Sequence, residues 1–319
     1  MKIKDIGGEF ALLERVTKRI KDKNVLTQIG DDAAVIKIGG KLMLFTTDTL
    51  VEDDHFSLKW FSPYQVGKKA IEVNVSDIAA MNGIPKYALI SLCLRKDTNV
   101  EFVEELYKGI YHAAKKYGIE IVGGNMTHGR EICIDVMMVG ETEKPVLRSG
   151  AKIGDLICVT GNLGKGKAGL EIFKKYGEKA KKFEIVKGYL EPKARLKEAK
   201  IIGKFANAMI DVSDGLASEI RHICNFSHVG AVVYADKIPV SNATKKAAEI
   251  LKAKATDFAL YGGEDFEIVF TLPKEHLEIL KKELRNFSVV GEILKRGDGI
   301  FLVENNRKKS LGMGYDHFV

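Results

Sequence analysis

KYALISLCL (Lys86–Leu94), a helical run over 100–117, EIVGG (Glu120–Gly124) and EICIDVMMVGE (Glu131–Glu141) follow one another in the first half of the chain. Their order decides the fold. The first, third and fourth stretches are apolar, rich in β-branched residues and bounded by Gly, Pro or charged residues, as strands are. The order is therefore strand, helix, strand, strand. A doubly wound sheet would alternate strand and helix strictly, so this stretch predicts an α+β fold with a mixed or antiparallel sheet.

Working towards the N-terminus, Pro63 opens a long helix through about Met81, which Gly83 and Pro85 end. AAVIKI and KLMLFTT, separated by Gly39-Gly40, suit a hairpin. Phe10, Leu13, Val16 and Ile20, three or four residues apart, predict a first amphipathic helix. Towards the C-terminus the pattern restarts after KPVLRSGAKIGD, which places a boundary near residues 142–152 and two domains at 1–145 and 146–319. The second half reads as strand DLICVT, a helix, basic helices, strand NAMIDVS, a helix from Asp214, strand AVVYA, a helix from Ser241, strand FEIVFTL, a helix over 274–286 and two last strands. A chain of 319 residues suits two such cores.

Net charge of +7 invites a nucleic-acid reading, but residues 165–204 hold thirteen Lys/Arg against five Glu, more than the whole surplus. That segment reads as helices with solvated lysines, without the interleaved aromatics of a single-strand binder, so no nucleic-acid partner is expected. Cys93, Cys133, Cys158 and Cys224 show no C-x-x-C or metal-ligand spacing and read as small hydrophobes in a reducing compartment. MKIKDIGGEF lacks a signal-peptide core, and no run approaches 18 apolar residues. A soluble cytoplasmic protein without a membrane partner is expected.

The informative feature is where the carboxylates fall. Gly30-Asp31-Asp32 precedes a strand, Thr46-Thr47-Asp48 ends one, and Asp211 and Asp214 bracket a strand-to-helix corner. Glu264-Asp265 follows paired glycines and leads into FEIVF. Oxygen donors at such ends suit Mg²⁺ or Mn²⁺ rather than Zn²⁺. Asp77 lies in AIEVNVSDIAAM among Ala, Ile, Val and Met, where a carboxylate is costly to bury unless paired. Several such groups converging would repel one another unless a cation offset the charge. In DVSDGL, Ser213 or Asp214 could cap the following helix and leave amides free for an anion.

Gly161-Asn-Leu-Gly-Lys-Gly166-Lys167-Ala168 matches G-x-x-x-x-G-K, but Ala168 stands where a phosphate loop carries Ser or Thr; a Gly-rich strand-to-helix turn is the better account. Asn74-Val-Ser-Asp77 echoes Asp211-Val-Ser-Asp214, which a duplication or chance would explain. The seven histidines form no H-x-x-x-H pair; His55, beside Asp53 and Asp54, could face a ligand or solvent. The aromatic tail Tyr315-Asp-His-Phe could cap a site, with packing on the core the default.

GDDAAV, TTDTLVE..HF, NVSDIAAM, GGN, RSGAKIGD, VTGNLGKGKAGL, DVSDGL and GGEDFEI, in this order and spacing, resemble the thiamine-monophosphate kinases of the aminoimidazole-ribonucleotide-synthetase-like superfamily. Each motif alone is weak; eight in register from Gly8 to Phe318 are specific. The resemblance implies two AIR-synthetase-like α+β domains, a homodimer built through the N-terminal domains, and direct transfer of the ATP γ-phosphate to thiamine phosphate, assisted by several Mg²⁺ ions. It implies metal contacts at Asp32, Thr46, Thr47, Asp48, Asp77, Asn125, Asp211 and Asp214, with Asp48, Asp77 and Asp211 central to catalysis. Nucleotide contacts would fall at Tyr107, Gly124, Asn125, Arg148 and Ser213, and acceptor contacts at His55, Glu264 and Tyr315. Two departures stand out. Asn125 replaces the usual Asp of Gly-Gly-Asp, and Asp53-Asp54 replaces Gly-Val beside His55. Other readings stay open: an amidine-forming purine-pathway synthetase of the same superfamily, or a nucleotide-binding protein without catalysis.

Overall fold

The computed structural model describes residues 2–315, with Phe10 described by its backbone alone. The C-terminal aromatic tail beyond Tyr315, with His317, therefore lies outside the described residues. The first sheet is built from β1 (Ala34–Ile38), β2 (Lys41–Val51), β3 (Ile84–Leu94), β4 (Glu120–His128) and β5 (Cys133–Thr142), in the order β1-β2-β5-β3-β4. Every pair is antiparallel except β3 with β4, which the intervening helix makes parallel. The second sheet comprises β6 (Leu156–Thr160), β7 (Ala208–Asp211), β8 (Gly230–Tyr234), β9 (Ile268–Leu272), β10 (Phe287–Leu294), β11 (Ile300–Glu304) and β12 (Arg307–Ser310). Its order is β12-β11-β8-β10-β6-β9-β7, with β8 and β11 parallel. The expected α+β architecture is what the chain adopts.

Helix α2 (Pro63–Ala80) forms where Pro63 was expected to open it. Ser62 and Gln65 close a capping box, and Pro63 occupies the first turn, where its missing N–H costs nothing. Thirteen of its eighteen residues are buried, because it lies between the first sheet and β7 of the second half. Helix α3 (Val100–Tyr117), capped by Asn99 and ended by Gly118, packs along it. On β2, Leu44, Thr46 and Leu50 face this helical layer and are buried, while Thr47 and Thr49 point to the opposite, exposed face.

Four sequence expectations are corrected. Helix α1 (Glu9–Val16) stops before Ile20 because Thr17 turns extended, and Val16 is 61% exposed. Helices α4 (Lys165–Tyr176), α5 (Val186–Leu190) and α6 (Leu196–Ile202) cover the basic segment. The helix after DVSDGL, α7 (Leu216–Ser227), starts at Leu216 with Gly215 at its cap; neither Ser213 nor Asp214 caps it. Instead the Asp214 N–H donates to Glu219 Oε1 at 2.9 Å. Helices α8 (Asn242–Leu251) and α9 (Ala255–Tyr261) follow. Strand β9 begins at Ile268, not Phe266, since Glu264 and Phe266 are left-handed (φ 66° and 48°). Helix α10 (Leu277–Glu283) ends short of 286 because β10 starts at Phe287.

Candidate active site

Carboxylates from α2, β7, β2 and two loops approach one another where α2 passes between the two sheets. Asp77 lies in the last turn of α2, Asp211 ends β7, and Asp32 sits in the loop before β1. One oxygen from each lies within 4.8 Å of the others. Asp48, whose strand neighbours Thr46 and Leu50 point inward, and Asp214, in the loop after β7, add to the same field. Burial, then repulsion from Asp214, Asp135 and Asp32, pushes Asp48 up to about 6. Burial and Asp32 push Asp211 up to about 8. Asp77 is held well above the ordinary range by burial and by Asp48, Asp211 and Asp32. Three of these carboxylates, drawn from both halves of the chain, close to within 4.8 Å, while Asp48 repels them electrostatically and Asp214 repels Asp48.

Hydroxyls and one guanidinium support them. Thr46 Oγ1 donates to Asp77 Oδ2 at 2.6 Å, and Ser76 Oγ to Asp211 Oδ2 at 2.5 Å. Arg148 binds Asp32 Oδ1 through Nη2 at 2.5 Å, and its own N–H donates to Asp31 at 2.8 Å. Among the described residues, the buried Asp32 Oδ2 has no hydrogen-bond partner. An orphaned carboxylate oxygen facing two further carboxylates is the donor set a hard divalent cation completes, so the residues present fit Mg²⁺. The two Asx-Val-Ser-Asp stretches thus touch through Ser76 and Asp211. One ends a helix and the other ends a strand, so the echo is not a structural repeat.

From Asp48 and Asp214 a cleft of about 550 Å³ runs past Ser213 to Asp54, His55, Glu264 and Tyr315. The three residues expected to meet the acceptor thus line one wall system. Glu264 donates its N–H to Ser213 O at 2.7 Å, and Tyr315 donates its own to Asp214 O at 3.0 Å. The Tyr315 hydroxyl lies 3.4 Å from Asp54 Oδ1. Of the paired carboxylates beside His55, Asp53 accepts from Ser57 Oγ at 3.0 Å in a left-handed turn, and Asp54 reaches towards Tyr315 and the His55 ring.

Other predicted residues stand elsewhere. Thr47 points to the outward face of the first sheet, where Thr49 Oγ1 donates to Asp135 Oδ2 at 2.7 Å and Thr47 Oγ1 lies at 3.4 Å. Asp135 pairs in register with Thr49 and Ser91, and Ser91 with Asn125. Gly124, beside Asn125, approaches β3 so closely that a Cβ would lie 1.8 Å from Ile90 O. Tyr107 and Tyr111 on α3 line a separate groove with Tyr64 of α2. Sequence reading missed Asp135, Glu219 and Lys69. Lys69 left a weak signal: a lysine with Val66 three residues before it and Val73 four residues after it on one helix face.

The phosphate-loop look-alike is a turn whose anion site is already filled. The N–H groups of Gly164, Lys165 and Gly166 donate to the Asp265 carboxylate at 2.5, 2.9 and 3.1 Å. In the basic segment, Lys165 and Arg195 turn inward onto buried Glu267, while Lys167 and Lys174 pair with Glu171.

Residues 30–142 match the family model for the N-terminal domain of AIR synthase related proteins, and residues 152–304 match its C-terminal domain. The thiamine-monophosphate kinase of Aquifex aeolicus is 39% identical over all of both chains. That of Bacillus subtilis is 32% identical over 97% of this chain and 99% of its own. The solved structure of AaThiL complexed with AMPPCP and TMP superposes with a TM-score of 0.90 at 39% identity, covering 100% of this chain and 99% of its own. Escherichia coli HypE, a hydrogenase maturation protein, shares the fold at 20% identity, with a TM-score of 0.73 over 87% of each chain. The chain belongs to the AIR synthase related family and, within it, to the thiamine-monophosphate kinases.

Proposed function

We infer that this protein transfers the γ-phosphoryl group of ATP to thiamine phosphate, giving thiamine diphosphate and ADP. The observation that carries the reading is the meeting of Asp32, Asp48, Asp77, Asp211 and Asp214 at the head of a cleft that continues to His55, Glu264 and Tyr315. Phosphoryl transfer between two anions needs positioning and charge neutralisation more than a covalent nucleophile. The five aspartates, with the Thr46 hydroxyl, would hold Mg²⁺, which when bound neutralises phosphate oxygens and lets acceptor and donor approach in line. Thr47 and Asn125, with Asp135 on the outward face of the first sheet, would offer oxygens only to a further ion. Asp48, Asp77 and Asp211 are the carboxylates on which catalysis rests.

Thr46 and Ser76 orient two of these carboxylates by hydrogen bonds, and Arg148 keeps Asp32 in place. On the nucleotide, Ser213 at the cleft wall would contact phosphate; Arg148, held on Asp32 and Gly30 O, would act through Asp32, and Tyr107 and Gly124 lie outside this cleft. At the far end of the cleft, His55, Glu264 and Tyr315 would take the acceptor. A thiazolium ring suits an aromatic face and nearby carboxylates, which Tyr315, Glu264 and Asp54 supply.

Further readings complete the proposal. Residues 1–145 and 146–319 are taken as the two domains. Tyr87, Leu89, Val122 and Met126 on β3 and β4 are 39–59% exposed, an apolar surface that suits a second copy and supports a homodimer. No helix among the described residues is long and apolar enough to cross a membrane, and all four cysteines are free, which supports a cytoplasmic setting. The test is ADP release with Mg²⁺ and ATP, comparing thiamine phosphate with thiamine and unrelated phosphomonoesters. Thiamine diphosphate formed from thiamine phosphate alone is the expected result; ATP binding without turnover on any of them sinks it.

A further inference from the structure

The acceptor end of the cleft is organised by a lysine that lies behind it. Lys69, midway along α2, is fully buried, with side-chain exposure of 0%. Its Nζ donates to His55 O at 2.6 Å and ion-pairs with Glu264 Oε1. The rings of Phe61 and Tyr189 flank it, with centroids 5.5 and 5.3 Å away. An ammonium in such a place is costly unless its few donors find acceptors, and it has no acceptor capacity of its own. The two oxygens that satisfy it come from opposite halves of the chain. His55 follows β2 of the first sheet, and Glu264 sits at the left-handed corner before β9 of the second.

We propose that Lys69 is the positioning residue of the acceptor subsite, fixing His55 and Glu264 at one separation by holding both on a single buried Nζ. This rests on the thiamine-phosphate reading given above. Three consequences follow from the geometry. Glu264 is turned away from free rotation, since its N–H is on Ser213 and its carboxylate on Lys69. The Glu264–Lys69 pair is neutral as a unit, so Glu264 meets an acceptor as an oriented hydrogen-bond acceptor rather than as a net charge. Asp54, whose carboxylate lies 3.4 Å from the Tyr315 hydroxyl, is the second carboxylate at this end of the cleft. Lys69 stands apart from the aspartate cluster, so its loss should be felt by the acceptor and not by the nucleotide.

The experiment uses full-length protein with Mg²⁺, varying ATP and thiamine phosphate independently, and adds calorimetric binding of each. Lys69→Met should raise KM and Kd for thiamine phosphate about tenfold or more while those for ATP change less than about twofold. In a Glu264→Ala background, which removes the oxygen that Lys69 holds, Lys69→Met should add less than it does alone, because only the His55 contact is left to lose. Lys69→Arg, which keeps the cation in altered geometry, should show the same selectivity with a smaller effect, and it carries the test if Lys69→Met fails to fold by circular dichroism. Equal changes for both substrates, no change for thiamine phosphate, or full additivity with Glu264→Ala overturns the assignment. Wild-type protein inactive on thiamine phosphate overturns the functional reading and this proposal together; an active wild type leaves the variants to judge Lys69 alone.

Discussion

Asp211→Asn should make the metal-free protein more stable while removing its activity. The oxygens of Asp32, Asp77 and Asp211 lie within 4.8 Å of one another, so each charged pair repels by about 3.5 kcal/mol at an effective dielectric near 20. Burial and Asp32 raise Asp211 from 3.8 to about 8, which at about 1.4 kcal/mol per unit makes its folded-state penalty several kcal/mol. Asparagine removes that charge and can still accept from Ser76, whose hydroxyl is 2.5 Å away. Allowing for relaxation, a gain of about 2–4 kcal/mol is expected, or about 3–6 °C in Tm for a chain of this length. The sign with pH follows from the direction of the shift. A carboxyl held above its unfolded value favours the folded state when protonated, and that benefit is lost as pH rises from about 4 towards about 8. The variant's advantage in EDTA should therefore be small at pH 5 and largest near pH 8. Added Mg²⁺ should stabilise the wild type more than the variant, because binding to the folded state raises stability by mass action. Turnover should fall on the order of a hundredfold to a thousandfold. Thermal unfolding in EDTA and in Mg²⁺ at pH 5, 6.5 and 8 measures the stability changes, and ADP release measures turnover. A variant no more stable than wild type in EDTA at pH 8, or an advantage that shrinks as pH rises, refutes the reasoning.

Asp265→Ala leaves the amides of Gly164, Lys165 and Gly166 without their carboxylate and should cost about 3 kcal/mol, read as a lowered midpoint in urea; an unchanged midpoint contradicts the reading of that turn. Gly124→Ala drives a Cβ to 1.8 Å from Ile90 O, so β4 must shift; ATP affinity should fall, and an unperturbed ATP Kd would separate β4 from the nucleotide. Tyr87→Glu places a charge on the exposed apolar face of the first sheet and should convert a dimer to a monomer by light scattering, whereas a wild type already monomeric excludes that interface.

What the sequence reveals depends on how far apart the partners lie. Helix α2 is legible because its signals are local: Ser62 and Pro63 start it, and Gly83 follows its end. The aspartates are legible as candidates because each neighbours Gly, Thr or Ser at the end of an element. Spacing alone misleads at α1, where Ile20 keeps the helical period but Thr17 has already turned extended. It misleads again at Asp214, whose amide is satisfied by Glu219 from five residues ahead, leaving Gly215 at the cap. The phosphate-loop pattern could not reveal that Asp265, about a hundred residues on, fills its anion site. Asp135 reads as an ordinary outward polar residue until register sets it between Thr49 and Ser91.

Lys69 and Asp77 show why distant pairing decides function here. Both sit on one rigid helix, eight residues apart, so their Cα atoms are separated by about 12 Å at 1.5 Å per residue. Asp77 faces Asp211 across the metal end, and Lys69 holds Glu264 at the acceptor end. Each partner comes from the second half of the chain, and neither half contains both members of either pair. Helix α2 therefore works as a ruler: it sets how far the acceptor contacts stand from the carboxylates. The burial of its middle turns, including a lysine with no exposed surface, is what keeps that distance from varying.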